Sequence, residues 1–169
     1  LSFNTKEWPF DDIEVRKAFS HIWNLEKLMD KLFFNEYVGT NSYWPWSKYE
    51  HPDNPKQYYN PELALELLTD SGWIKKDGEK WLSKDGKTFE IDMYIHQGYD
   101  RIFNPLVSDL ESIGIKLTLV VIQNPFDKFI DKTYTLYYGG AIPGLIQKKL
   151  SLINLLYLMA NMGMLMFRP

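Results

Sequence analysis

The chain has 169 residues, a formal net charge of -3 and no cysteine. This length allows one domain with a substantial hydrophobic core. The weakly acidic balance gives no reason to expect a nucleic-acid partner, and the lack of cysteine excludes disulfides and thiolate metal sites.

The first predicted elements are a short strand, a turn and a capped helix. Pro9 favours an extended or turn conformation for the residue before it. Asp11 or Asp12 can accept hydrogen bonds from the free amides of a helix start, where negative charge is also favourable. An apolar stripe then predicts the helix, with the members Ile13, Val15, Ala18, Phe19 and Ile22. We expect Arg16 and Lys17 to face outward or to pair with the two aspartates.

Two further helices are predicted from their start signals. The second helix follows Asn24, which serves as its N-cap. Residues 37–59 then form a predicted irregular loop rich in aromatic residues, of a length that is usually functional or packed on the surface. In the third helix Asn60 is the cap and Pro61 takes the first helical position. Gly72 ends this helix in a left-handed conformation.

Short strands are predicted next. The Asp-Gly pairs at 77–78 and 85–86 each favour a tight reversal. They imply a small meander of strands around residues 73–74, 81–82 and 89–95. In the last of these, apolar residues alternate with polar ones, as in a half-buried strand.

Four more elements follow in order. They are a helix over residues 100–113, a strand over 115–122, a short helix over 126–130 and a last strand over 134–138. Because helices alternate with strands, the sequence predicts an α/β or α+β lobe with a mixed sheet flanked by helices.

The end of the chain differs in composition. After Asp131 there is no acidic residue, and residues 150–167 are nearly all apolar. A run of this length approaches a membrane span. Three interpretations stay open: a terminal membrane helix, an amphipathic helix docked on the lobe, and out-of-frame or truncated coding sequence. We therefore predict two regions, a lobe over 1–144 and an apolar tail over 145–169.

Motifs for catalysis are missing from the sequence. Its three histidines lie far apart and lack metal-ligand spacing; they are His21, His51 and His96. The sequence contains no nucleophile elbow, P-loop or dinucleotide fingerprint. It predicts a binding protein rather than an enzyme, and no cofactor.

Three stretches resemble the family 5 extracellular solute-binding proteins, the peptide-type binding components of ABC importers. The first joins Phe3-Asn4 to residues 9–18 and is similar to F-N followed by P-F-D-D-x-x-V-R-x-A. The second, over residues 60–73, is similar to N/D-P-E-x-A-x-x-L-L-x-x-x-G-W. The third, over 110–117, matches L-x-x-I-G-I-x-L. The recognisable resemblance stops near Gly144.

The resemblance implies that the chain covers most of the second lobe of a two-lobed protein. Such proteins close by a hinge motion on a peptide or peptide-like solute held between the lobes. Segments 2–5 and 134–140 would be the two strands that cross between lobes. The implied partners are ABC transporter permease subunits and the missing first lobe. The implied location is the periplasm or cell surface, with a signal peptide encoded upstream.

The resemblance also implies cleft-lining residues just after the return strand, namely Tyr138, Gly139, Gly140 and Ala141. Peptide binders of the family carry an Asp soon after this position, which pairs with the amino terminus of the ligand. Here residues 142–144 are Ile-Pro-Gly, and this departure weakens the expectation of amino-terminus recognition. Residues 40–43 resemble the T-x-S-Y/F loop of a subgroup associated with microcin-type or larger peptide ligands.

Four other side chains are candidates for ligand contact. Tyr43, Trp44 and Trp46 can form flat apolar walls for a ligand, and the alternative is core packing against the first two helices. Arg101 can bind a ligand carboxylate through two hydrogen bonds. The alternative for Arg101 is an ion pair with Asp100 or Glu111 on the surface.

Two functions are therefore weighed. In the first, the chain is part of a substrate-binding component of an ABC importer, and one lobe alone binds ligand weakly or not at all because half a site loses much of the enclosing contact. In the second, residues 1–140 are the head of a small interaction module that the hydrophobic tail anchors in a membrane.

Overall fold

The computed structural model of the chain describes residues 1–40, 42, 48, 50–53, 58–138 and 164–167. Its helices are α1 Ile13–Phe19, α2 Leu25–Phe33, α3 Pro61–Asp70, α4 Asp100–Ser112 and α5 Pro125–Ile130. Its strands are β1 Ser2–Phe3, β2 Tyr37–Thr40, β3 Ile74–Lys75, β4 Leu82–Lys84, β5 Lys87–Thr88, β6 Glu90–Ile95, β7 Lys116–Val121, β8 Leu136–Tyr137 and β9 Met164–Phe167. None of the helices in these residues has the length and apolar character needed to cross a membrane.

The central sheet has four strands in the order β1-β8-β6-β7. Strand β6 runs parallel to β7 and to β8, whereas β1 runs antiparallel to β8. The parallel pair β6 and β7 is joined through α4, as parallel neighbours require a crossover connection. The prediction of a mixed sheet flanked by helices is confirmed.

The hydrophobic core lies between the sheet and helices α1, α3 and α4. Strand β6 contributes Ile91, Met93 and Ile95, which are buried, while Glu90 and Asp92 point away. This alternation confirms the predicted half-buried strand. Helix α4, predicted over residues 100–113, contributes an apolar face with the fully buried residues Phe103, Leu106 and Leu110. Each such side chain stabilises the fold by about 1.5–3 kcal/mol through removal from water.

Helix α1 begins as predicted but ends at Phe19, three residues before Ile22, the last member of the predicted apolar stripe. The carboxylate of Asp12 accepts the amide hydrogen of Glu14 at 2.9 Å and is the N-cap. Four members of the stripe are buried, and they are Val15, Ala18, Phe19 and Ile22. The remaining member, Ile13, is 55% exposed. It stands at the first helical position, where the chain still faces solvent.

The basic residues of α1 find other partners than those considered from the sequence. Lys17 pairs with Glu14 at 2.7 Å. The Nη1 atom of Arg16 donates to the backbone oxygens of Phe10 at 2.6 Å and Asp11 at 3.1 Å. Arg16 therefore closes the turn before its own helix, and no ion pair joins it to an aspartate within the described residues.

The predicted caps of α2 and α3 are confirmed. The side-chain oxygen of Asn24 accepts the amide hydrogen of Lys27 at 2.9 Å, and that of Asn60 accepts the amide hydrogen of Leu63 at 3.0 Å. Pro61 occupies the first turn of α3. Gly72 has φ +89°, a conformation that a residue with a side chain rarely adopts.

The small meander is a three-stranded antiparallel sheet in the order β3-β4-β5. The turn at Asp85-Gly86 has positive φ at both residues, 52° and 77°, as expected for a two-residue hairpin. The expected third strand of this meander, residues 89–95, instead forms β6 in the central sheet. Strand β5 ends at Thr88, and the next residue, Phe89, is buried in the core. The residues after Phe89 therefore leave the meander and join the central sheet.

The predicted irregular segment 37–59 begins with a strand, so that part of the prediction is wrong. Strand β2 pairs antiparallel with β9, from Tyr37 opposite Phe167 to Thr40 opposite Met164. Apart from β9, the tail from residue 145 onward lies outside the described residues. The boundary at 144 and the three interpretations of the tail stay predictions.

A candidate ligand-binding edge of the central sheet

Three parallel strands end at one edge of the central sheet, here named the carboxyl edge. Strands β6, β7 and β8 finish there at Ile95, Val121 and Tyr137. Because β1 is antiparallel and pairs Ser2 with Tyr137, its first residue also lies at this edge. Ligands of open α/β sheets bind outside the carboxyl ends of the strands, which makes this edge the candidate site.

Aromatic rings occupy the carboxyl edge. We name the edge aromatic group as Trp23, Tyr99, Phe103 and Tyr138. The ring of Tyr138 lies 4.8 Å from Phe103 in an edge-to-face arrangement and 5.9 Å from Tyr99, between ring centroids. Phe103 lies 5.6 Å from Trp23. Such offset and edge-to-face contacts add about 0.5–1.5 kcal/mol per pair beyond area burial, so the rings form a rigid wall.

The outer members of this wall combine apolar faces with hydroxyl groups. Tyr99 is 39% exposed and Tyr138 is half-buried, whereas Phe103 is fully buried beneath them. Burial raises the pKa of the Tyr138 hydroxyl, and the neighbouring Tyr99 adds to the rise. Tyr138 therefore keeps its proton at neutral pH and can donate a hydrogen bond to a ligand.

The first turn of α4 brings a positive charge to the same edge. Tyr99 is the N-cap of α4 and makes no capping hydrogen bond with its side chain. Arg101 follows in the first turn and is exposed. Glu111 pairs with Lys80 rather than with Arg101. In the part of the chain that the structure describes, Arg101 forms no ion pair, so the surface pairing considered from the sequence is not formed there.

The opposite end of the β1–β8 pair is held by Asn4. Its backbone amide donates to Thr135 at 3.0 Å. Its side-chain Nδ2 donates to the backbone oxygens of Lys132 at 3.2 Å and Tyr134 at 3.0 Å. One residue thus ties the end of β1 to the segment that leads into β8.

The structure brings two of the sequence-predicted site residues together, because Arg101 and Tyr138 both lie at the carboxyl edge. The others lie outside the described residues; they are Tyr43, Trp44, Trp46, Gly139, Gly140 and Ala141. Their predicted roles are not tested. Sequence analysis missed Trp23, Tyr99 and Phe103. The signal for Tyr99 was an aromatic residue at a helix start, four positions after the end of a strand. Phe103 gave no separate signal, because it belongs to the apolar face of α4.

The site offers contacts for binding and no arrangement for catalysis or metal coordination among the described residues. No group of three or more His, Asp or Glu side chains that could hold a metal ion occurs in that part of the chain. His96 lies 6.1 Å from the ring of Tyr99 and has no carboxylate partner among the described residues.

Comparison with known proteins relates this fold to bacterial transport proteins. The sequence model of the bacterial extracellular solute-binding proteins, family 5 middle region, matches residues 1–160. The match runs beyond Gly144, where the motifs recognised in the sequence stop. The oligopeptide-binding protein AppA of Bacillus subtilis is 27% identical over 131 residues, which cover 73% of this chain and 24% of AppA.

Other curated relatives carry different binding names. The nickel-binding periplasmic protein of Escherichia coli is 25% identical over 125 residues and covers 71% of this chain and 24% of its own length. SapA of Escherichia coli, a probable ABC transporter periplasmic-binding protein, is 23% identical over 151 residues, covering 83% of this chain and 25% of SapA. The chain thus spans about a quarter of the curated relatives that it matches. The prediction that it is not an enzyme is confirmed, since these relatives are binding proteins.

Solved structures confirm the predicted fold class. NikA from Brucella suis, in complex with Fe(III)-EDTA, superposes with a TM-score of 0.75 at 19% identity, covering 82% of this chain and 29% of NikA. AppA from Bacillus subtilis, in complex with a nonapeptide, gives a TM-score of 0.65 at 24% identity and covers 76% of this chain and 26% of AppA. The described residues therefore have the fold of one portion of these larger binding proteins.

Proposed function

This chain belongs to the family 5 extracellular solute-binding proteins, and we propose that it supplies one half of the solute-binding cleft of an ABC importer. The observation that carries the proposal is the carboxyl edge, where the edge aromatic group, the guanidinium of Arg101, which forms no ion pair among the described residues, the start of β1 and the end of β8 meet. In the proposed protein the missing first lobe faces this edge.

The antiparallel pairing of β1 with β8 supports a two-strand connection between lobes. The residue before Ser2 and the residue after Tyr137 lie at the same edge. A lobe inserted in a larger chain needs its entry and its exit close together. We accordingly propose that the chain crosses between the lobes beside Ser2 and after Tyr138, at the carboxyl-edge ends of the sequence-predicted crossing segments 2–5 and 134–140. Hinge closure would then bring the first lobe onto the aromatic wall.

We propose a peptide or peptide-like solute as the ligand. Flat aromatic faces such as those of Tyr99 and Tyr138 bind side chains and apolar ligand surfaces without a charge requirement. The guanidinium of Arg101 matches a carboxylate in planar geometry. AppA is named for oligopeptides, while another relative is named for nickel, so the ligand class needs a direct test.

The proposed partners and location follow the same family. We propose that the complete protein is exported by a signal peptide encoded upstream and delivers its solute to ABC transporter permease subunits. SapA is named as a probable periplasmic-binding protein of an ABC transporter, which supports this assignment.

One lobe alone should bind weakly. A dissociation constant of about 1 μM corresponds to about -8.2 kcal/mol, and one of about 1 mM to about -4.1 kcal/mol. If each lobe contributes half of the contact energy, a solute held at about 1 μM by the closed protein binds this chain near 1 mM.

The test is a titration of the isotope-labelled chain with mixed-sequence penta- to nonapeptides, followed by two-dimensional NMR. We expect saturable shifts at Tyr99, Arg101 and Tyr138 in the millimolar range. The variant Arg101→Ala should weaken binding of free-carboxylate peptides and leave binding of amidated peptides unchanged. The exposed Lys75, the last residue of β3, provides a control variant, Lys75→Ala, that should bind like the parent chain.

Two results would contradict this proposal. Micromolar affinity of the chain alone would show that its site is already complete. Peptide-dependent shifts at the far end of the sheet, with none at the carboxyl edge, would place the solute site elsewhere.

A further inference from the structure

Strand β7 lies at one border of the central sheet and has an unpaired side. The sheet order is β1-β8-β6-β7, so among the described residues β7 pairs only with β6. The strand is six residues long, from Lys116 to Val121. A border strand presents a row of backbone N–H and C=O groups that can pair with another strand.

The ladder with β6 fixes which backbone groups point to the unpaired side. The amide of Lys116 donates to the backbone oxygen of Phe89 at 2.9 Å. Beyond the other end of β7, the amide of Ile122 donates to the backbone oxygen of Ile95 at 3.0 Å. Because the backbone groups of a strand alternate between its two sides, even-numbered positions from 116 to 122 face β6. The N–H and C=O groups of positions 117, 119 and 121 therefore point to the unpaired side.

The carboxyl half of this side is the open part. At the amino edge of the sheet, opposite the carboxyl edge, the amide of Leu82 in β4 donates to the backbone oxygen of Gly114 at 2.7 Å. Leu117 is only 6% exposed. Val121 is 52% exposed, and Leu119 is half-buried. Another strand can therefore reach the backbone groups of Leu119 and Val121.

Strand β7 lacks the features that keep border strands from pairing. Natural borders are short, or carry charges, proline or bulges. The other border strands of the central sheet and the meander, β1, β3 and β5, have two residues each, and the last two contain Lys75 and Lys87. By contrast, residues 117–123 contain no charge and no proline. The single charge of β7, on Lys116, is paired with Glu90 at 2.5 Å.

We propose that β7 pairs antiparallel with β7 of a second copy of the chain, about a two-fold axis at Val120. A two-fold axis sets one surface against itself, so the strand must complement its own sequence. With the axis at Val120, Leu119 of each copy lies opposite Val121 of the other, and each such pair exchanges two N–H···O bonds. An axis at Leu119 would instead require the covered backbone of Leu117.

The side chains that meet in this register are compatible. Val120 lies opposite Val120 of the second copy, and Thr118 lies opposite Ile122. Cross-strand pairs of β-branched side chains fit the pleated surface of a sheet and stabilise it. Like charges do not face each other, since Lys116 falls outside the paired residues 117–123. A second copy thus supplies an uncharged strand rich in β-branched residues, which matches this border.

This interface goes beyond the proposed solute cleft and does not depend on it. Neither Arg101 nor the edge aromatic group takes part in the pairing, and the tests of the pairing contain no peptide. Failure of one proposal is therefore distinguishable from failure of the other.

The first experiment uses single cysteines in the full chain, which has no cysteine of its own. Opposite residues between two hydrogen-bonded pairs have Cα atoms about 4.5 Å apart, and a disulfide requires about 4.4–6.8 Å. Val120→Cys should therefore form a disulfide-linked dimer under mild oxidation. In the matched control Thr118→Cys, the two cysteines are offset by four residues, about 13 Å at about 3.3 Å per residue. We expect this control to cross-link at least about tenfold more slowly on non-reducing gels, because its Cα atoms are too far apart.

The second experiment is sedimentation equilibrium of the chain over about 10 μM to 1 mM, a range that detects weak dimers. We expect a reversible rise of the mean mass toward that of a dimer. Val121→Lys introduces a charge and removes buried apolar surface in both copies, so the dissociation constant should rise about tenfold or more. The matched control is Ile74→Lys on β3, because Ile74 is also 52% exposed and lies outside the interface. This control should associate like the parent chain.

Three results would overturn the proposal. In the first, the parent chain stays monomeric across the whole concentration range. In the second, Thr118→Cys cross-links as fast as Val120→Cys, so the register is wrong. In the third, Val121→Lys keeps the circular dichroism spectrum of the parent chain and associates as strongly as Ile74→Lys, which would place the contact on another surface.

Discussion

Asn4 joins β1 to the chain before β8, and its replacement tests how this strand pair is held. The side-chain amide uses both hydrogens, one to the backbone oxygen of Lys132 and one to that of Tyr134. Its Oδ1 accepts the amide hydrogen of Lys6 at 3.3 Å. Asn4→Ala removes these bonds and leaves the backbone in place. Asn4→Asp keeps the shape and the acceptor but removes both donors.

The expected losses differ between the two variants. Each neutral hydrogen bond contributes about 1 kcal/mol net, and Asn4→Ala removes three of them. The free energy of unfolding should therefore fall by about 3 kcal/mol, and by less if water replaces the two exposed bonds, to Lys132 and from Lys6. Asn4→Asp should cost more, because a carboxylate then faces two carbonyl oxygens. Those oxygens disfavour its charged form and raise its pKa in the folded state. The stability of Asn4→Asp should therefore be lost as pH rises through that pKa and recover toward acid, where the protonated group donates one bond.

The assay is urea unfolding of the chain and both variants at about pH 7 and about pH 4, followed by circular dichroism. Asn124→Ala is the matched control, since among the described residues the Asn124 side-chain amide donates only to the exposed Asp127 carboxylate, at 2.8 Å. We expect this variant to change the free energy of unfolding by less than about 0.5 kcal/mol. Equal stabilities of Asn4→Ala and Asn4→Asp at neutral pH would refute the reasoning, because the donor geometry would then be irrelevant.

Three further predictions concern stability. Burial raises the pKa of Asp109, so the stability that this carboxyl group contributes is present at low pH and lost as pH rises through its folded pKa. Asp109→Asn should therefore raise the free energy of unfolding at about pH 7 and raise it less at about pH 4. An equal gain at both pH values would exclude the burial effect. Gly114 has φ +92°, and a Cβ at this position would lie 3.3 Å from the backbone nitrogen of Leu82 in β4. In urea unfolding, Gly114→Ala should lower the free energy of unfolding by about 1–3 kcal/mol. The loss should exceed that of Gly86→Ala, because a Cβ at Gly86 meets open space. Phe103→Ala should lower the free energy of unfolding by about 3–5 kcal/mol, because it opens a cavity under the aromatic wall. The exposed Phe126 provides the control, and Phe126→Ala should lower it by less than about 1 kcal/mol. Similar losses in the two variants would contradict the assigned burial.

Local signals in the sequence were enough for most elements of this fold. The caps at Asp12, Asn24 and Asn60 depend on a side chain reaching an amide two or three residues away, so the residue types predict them directly. The alternation in β6 and the stripe of α4 likewise depend on neighbours along the chain. The exposure of Ile13 could not be predicted, because a periodic pattern does not reveal where the core ends.

Contacts between distant segments could not be predicted in the same way. The pairing of Ser2 with Tyr137 joins residues that are far apart in sequence, and no local preference specifies it. The same limit hid Tyr99 as a site residue, because only the parallel order of β6 and β8 brings it against Tyr138. The stretch 89–95 was predicted as a strand but assigned to the wrong sheet for this reason.

The geometry of the β1–β8 pair also limits where a closure motion can occur in the proposed two-lobed protein. Asn4 fixes the pair at the amino edge, and the backbone pairing of Ser2 with Tyr137 fixes it at the carboxyl edge. Rotation between lobes would therefore take place outside this pair, before Ser2 and after Tyr138. Tyr138 is itself packed on Phe103, so it would stay with this lobe while the backbone beyond it turns. The aromatic wall would then keep one shape in the open and closed protein, as a preorganised half of a binding site should.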